Sequence, residues 1–255
     1  MSKDTVADVG MNRTGIKTSP IDSQDIIQEA QRATPSSPGD GQGILEVRKQ
    51  YAREAGDGLG HVPPPSSLKG LAKTAVDMLK GSKPTVFIDK LGERLAFERV
   101  GVRLYEGALS KLDVYGSWEG GPSRELLTKI LDDELGHFAL LNEALEKMGA
   151  DPTAMTPSAD LSAVISMGVP AAISDARTNL RQCTEALLVA ELTDNASWEL
   201  LIDLARGLGH DSLADRFQQA LDAEAEHLLL VKGWLAAGVA TEARASLESA
   251  PAPAP

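Results

Sequence analysis

Two four-residue units in this chain, Glu134-x-x-His137 and Glu224-x-x-His227, combine residue types and a spacing that could bind metal. On an α-helix, residues three apart share a face, so a Glu and a His so spaced can point at one cation. The two units use two of only four histidines. Each is preceded along the chain by a helical segment carrying one glutamate on its apolar side, Glu98 before the first unit and Glu191 before the second. Carboxylate oxygens and imidazole nitrogens together suit iron and manganese.

The elements that must position these groups read as four long helices. The first runs from Pro84, a first-turn proline, to about residue 112. The second opens at Gly120-Gly121-Pro122-Ser123 and stops at Gly149. The third begins near Asp175 and ends at Gly207-Leu208-Gly209, and the fourth runs from Asp211 to about Ala237, before Gly238. Along the first, the apolar stripe reads Leu91, Leu95, Glu98, Val102, Tyr105, Leu109. The second gives Leu127, Ile130, Leu131, Glu134, His137, Phe138, Leu141. In the third and fourth, Glu191 and Glu224-x-x-His227 interrupt similar runs of Leu, Phe and Trp. A lone buried carboxylate is disfavoured by several kcal/mol or is forced to protonate. Two divalent cations would balance four such carboxylates. Glu106, Glu185 and Glu226 fall off these stripes and read as surface groups.

Short connections make hairpins of the first two helices and of the last two. About 25 residues, with a weakly helical stretch at 161–167, separate the pairs. A connection that long can span a bundle, so the expected fold is all-α: an antiparallel four-helix bundle with one long crossover between the second and third helices. The hairpins also match in spacing, with Glu98 preceding Glu134 by 36 residues and Glu191 preceding Glu224 by 33. Residues 1–66, rich in Ser, Pro, Gly and Asp, read as a disordered or loosely docked extension with helical turns at 23–32 and 44–54. A short helix is expected at 67–82, the bundle at 83–240, and a disordered tail at 241–255.

A formal charge of −12 argues against a nucleic-acid surface and suits a protein that attracts cations. One cysteine, Cys183, excludes a disulfide framework and reads as a small buried residue. With no apolar run behind Lys3 and no stretch long enough to span a membrane, the expected location is cytoplasmic.

The paired units, each following a seam glutamate, resemble the ferritin-like superfamily of di-iron and di-manganese carboxylate proteins over about residues 84–238. Rubrerythrins, bacterioferritins and manganese catalases are among its members. The likeness implies two bound iron ions, with manganese as the other possibility. It implies Glu134 and Glu224 as bridging or chelating ligands, His137 and His227 each on one metal, and Glu98 and Glu191 as terminal ligands. Asp133 stands where such sites often hold an acid that orients a histidine of the opposite half; its other reading is an exposed acid. Tyr105 reads either as an electron relay or as a core residue with its hydroxyl satisfied. The implied activity is that of a di-iron oxidoreductase reacting with O2 or H2O2, of ferroxidase or peroxidase type, fed by an unidentified electron donor. A manganese catalase-like peroxide dismutase and a non-catalytic iron-binding scaffold are the alternatives. The likeness also implies a homo-oligomer, at least a dimer. Storage ferritins generally lack the second Glu-x-x-His, and the absence of Cys-x-x-Cys pairs excludes a built-in rubredoxin-type domain.

Overall fold

The computed structural model describes residues 24–25, 28, 31–32, 41–56, 58–64 and 84–248. All regular structure among the described residues is helical: α1 (Gln42–Glu54), α2 (Pro84–Tyr115), α3 (Arg124–Met148), α4 (Pro157–Ser166), α5 (Gly168–Ser174), α6 (Leu180–Gly207) and α7 (Asp211–Glu248). The chain divides into two units, 1–58 and 59–255. In the first, α1 forms at one of the expected helical stretches and buries none of its residues. The short helix expected at 67–82 lies outside the described residues, as do most of 1–40 and the end of the tail.

In the second unit, sequence signals set the helix ends. Ser123 caps α3 by accepting a hydrogen bond from the Leu126 amide at 3.2 Å, and Gly149 closes it in the left-handed conformation, φ 79°. Asn179 and Gln182 form a reciprocal capping box that starts α6 five residues later than the Asp175 start expected. Thr156 caps α4 with Pro157 in its first turn. The connection expected to be only weakly helical is therefore two defined helices.

The expected stop at Gly238 does not occur, and α7 continues to Glu248. A mid-helix glycine costs only about 1 kcal/mol relative to alanine. Here packing requires one: a Cβ at 238 would sit 2.9 Å from Arg181 Cγ and 3.1 Å from the Trp118 ring. The eight residues 241–248 thus belong to the helix and not to a tail.

Helices α2 and α3 pack as one pair and α6 and α7 as another, with α2 against α6 and a lighter contact of α3 with α7. The connecting helices lie on α2, and α5 also touches α6. Gly92 and Gly107 allow that approach, since a Cβ would meet the Thr156 side chain at 2.8 Å or Ile173 Cγ2 at 2.6 Å. Two apolar clusters fill the interior. One gathers Phe87, Leu91, Leu141, Trp198 and Phe217; the other gathers Leu104, Leu127, Leu180, Leu187 and Val231. In every long helix the buried glutamate falls between residues of the two clusters. No helix among the described residues is long and apolar enough to cross a membrane.

Candidate metal centre

Each long helix carries one glutamate into the layer between the apolar clusters. Glu98 of α2, Glu134 of α3, Glu191 of α6 and Glu224 of α7 are each at most 2% exposed. His137 is 8% exposed and His227 fully buried, so all six residues expected from the sequence to hold metal meet in one place. They form two overlapping groups that could hold a metal ion: Glu98, Glu134, His137 and Glu224, and Glu134, Glu191 and His227. Within each group one ligand atom per residue lies within 4.8 Å of the others.

Glu134 belongs to both groups. Glu224 also faces both, its Oε1 lying 2.7 Å from His137 Nδ1 and its Oε2 3.2 Å from His227 Nδ1. Neither atom of the first contact makes a hydrogen bond, so the two stand against each other without being paired. The two imidazoles stand 6.3 Å apart between ring centroids. Glu134 reaches this position because residue 101 is glycine: a Cβ there would lie 2.2 Å from Glu134 Oε2.

The remaining carboxylate oxygens show what the layer lacks. Glu98 Oε2, Glu134 Oε2 and Glu191 Oε2 are buried without a hydrogen-bond partner. Leaving such groups uncompensated costs several kcal/mol each. The opposite oxygens of the two single glutamates are tied down: Arg94 Nε donates to Glu98 Oε1 at 2.8 Å, and the Tyr105 hydroxyl donates to Glu191 Oε1. Tyr105 is thus a buried core residue with its hydroxyl satisfied, in contact with the site. Asp133 Oδ2 lies 3.0 Å from His227 Nε2 and 2.9 Å from Lys129 Nζ, so it holds a histidine of the opposite hairpin.

Without a cation, protons must stand in for the missing charge. Burial, followed by repulsion from Glu98 and Glu224, raises the Glu134 pKa well above the usual carboxylate range. Burial and the Glu224 charge push Glu191 up to about 8, against the Tyr105 hydrogen bond. Burial alone would lower the His137 pKa, but Glu224 and Glu98 outweigh it and raise it to about 9. Burial likewise opposes and fails to prevent the lowering of Glu224 to about 2 by the two histidines.

Sequence reasoning missed Arg94 and Asp194. Both are 2% exposed, and Arg94 Nη2 lies 2.9 Å from Asp194 Oδ1. Burial lifts the Asp194 pKa well above normal, Arg94 opposes this, and the neighbouring glutamates add to it. The signal was present: Arg94 lies four residues before Glu98, and Asp194 falls between Glu191 and Trp198 at helical spacing on the same stripe.

A groove of about 380 Å³ between α3 and α7 leads to His137 and is lined also by Asp132, Asp133, Gly136, Arg216 and Ala223. Ala223 precedes Glu224 as Asp133 precedes Glu134. His137 therefore faces a gap where the other half places an acid. No family model matches the chain, and no curated protein or solved structure shows significant similarity to it.

Proposed function

We propose that the chain is a ferritin-like di-metal carboxylate oxidoreductase that reacts with O2 or H2O2, its four long helices forming a four-helix bundle crossed once by the segment containing α4 and α5. The observation that carries this reading is the sharing of Glu134 and Glu224 between two histidines, with Glu98 and Glu191 one on each side. The residues fit a pair of divalent cations. The donors are hard oxygens and imidazole nitrogens, and four of the five buried carboxylate oxygens without a hydrogen-bond partner belong to residues of the two groups.

A bound pair of iron or manganese ions would supply the redox equivalents for O2 or peroxide chemistry. The side chains do the rest. Asp133 Oδ2 lies 3.0 Å from His227 Nε2; a proton held on Nε2 would be donated to Asp133 and would leave Nδ1, 3.2 Å from Glu224 Oε2, as the metal-facing nitrogen. Arg94 and Tyr105 each hold one oxygen of a single glutamate and leave its other oxygen pointing inward. The apolar clusters on either side exclude water, and the groove at His137 admits a small reactant.

The test is metal analysis of the purified protein, followed by consumption of O2 in the presence of Fe²⁺ and of H2O2 by the loaded protein. About two ions per chain with turnover, both lost in Glu134→Ala, is the expected result. Iron would support the ferroxidase or peroxidase reading, and manganese with peroxide dismutation the catalase-like one. Two ions without turnover would leave only a binding role, and no bound metal would refute the proposal.

A further inference from the structure

We propose that Arg94 and Asp194 form a positioning pair that holds Glu98 to one-oxygen ligation and sets the charge of the Glu98–His137 half, so that the two metal positions differ in affinity. This rests on the di-metal reading above. Arg94 Nε donates to Glu98 Oε1 at 2.8 Å while Nη2 lies 2.9 Å from Asp194 Oδ1. The guanidinium is walled in by Phe97, 4.4 Å from the ring centroid, and by Trp198 at 5.9 Å. Trp198 in turn meets the His137 ring edge-on at 5.6 Å.

A purely structural role does not account for this arrangement. Fully buried ion pairs lose several kcal/mol per ion to desolvation, and well-packed apolar residues often serve as well or better. The pair, one residue from each hairpin, also has no counterpart at the equivalent positions of the two hairpins. The position four before Glu191 is Leu187, and the position three after Glu98 is Gly101. On that other side a neutral phenol, Tyr105, holds the corresponding carboxylate.

Charge explains why Arg94 needs Asp194. A guanidinium alone against Glu98 would offset the negative charge that draws a cation to this half. The buried acids Glu98, Glu134, Glu191, Glu224 and Asp194 carry −5 formally and Arg94 carries +1. The net −4 matches two divalent cations. Removing Asp194 leaves −3, and removing Arg94 leaves −5. Removing both keeps −4 but frees Glu98 Oε1.

Titration of the full-length protein with Co²⁺, followed by calorimetry and visible absorption, separates these effects. Asp194→Asn, which preserves shape, should weaken one of two binding steps about 10-fold or more and leave the other near wild type. The double variant Arg94→Met/Asp194→Asn should regain much of that affinity. The spectrum of one of its two Co²⁺ ions should shift toward higher coordination, as Glu98 becomes able to chelate with both oxygens. That spectral test stands even if the single variant does not fold. Unchanged binding steps and an unchanged Co²⁺ spectrum in both variants, with only the melting temperature altered, would make the pair structural and overturn the proposal. Failure of the wild-type protein to bind Co²⁺ would instead defeat the di-metal reading itself, and this inference with it.

Discussion

The carboxylate of Glu134 lies over the bare Cα of Gly101, and this contact makes metal affinity and helix stability separable. Gly101→Ala improves the intrinsic helix propensity of α2 by up to about 1 kcal/mol. The new methyl must push the flexible end of Glu134 aside. The stripped protein should therefore melt within a few degrees of wild type, while metal affinity falls about 10-fold or more. Equal affinities in calorimetry would show that Glu134 does not bind from this position. Protons make a second residue-scale test. At neutral pH His137 and Glu191, with pKa values raised to about 9 and 8, hold protons that metal must displace. Metal binding should release protons, and apparent affinity should rise with pH and level off near pH 9. Calorimetric heats independent of buffer ionisation enthalpy would contradict this.

At the scale of the helices, the groove between α3 and α7 is lined by His137 and so offers a route to the site. Ala223→Leu should narrow it beside His137 while leaving all four site glutamates in place. Stopped-flow uptake of Co²⁺ should slow, with final stoichiometry unchanged; an unaltered rate would place the access elsewhere. The six site residues were legible because each interrupts a stripe whose other members are mostly apolar, and because the Glu-x-x-His unit repeats. Arg94 and Asp194 escaped notice because a long or acidic side chain on a helix is usually solvated, and only the fold shows that these two meet across α2 and α6. Gly238 misled for a related reason. Its local signal is a helix stop, but its partners Trp118 and Arg181 are distant in sequence. The cap at Thr156 and Pro157 was readable, although the apolar pattern of 161–167 obscured the helix it starts.

For the whole molecule, stability and pH are linked through the same layer. The fold raises the His137 pKa from 6.5 to about 9, so its contribution is full below pH 6.5 and lost as pH rises through 9. The fold also raises Glu191 from 4.5 to about 8, so its ionisation opposes folding increasingly across that interval. Glu224, lowered to about 2, stabilises above pH 4.5 and loses that effect as pH falls toward 2. The stripped protein should be most stable in mild acid, between about pH 4.5 and 6.5. Bound metal adds stability that grows as its ligands deprotonate, so the gap between loaded and stripped melting temperatures should widen from pH 5 to 8. Coincident melts across that range would contradict the account. Removing residues 1–58 should leave the helices of residues 84–248 and the metal content intact, because residues 59–255 form their own unit and Val62 packs on its apolar core. Loss of either property on truncation would show that the first unit supports the site.

The most direct measurement of the central claim is anomalous X-ray diffraction from crystals of metal-loaded protein. Two peaks are expected, with Glu134 and Glu224 between them, one against Glu98 and His137 and the other against Glu191 and His227. No peak among these six residues, or a single one, would contradict the di-metal account.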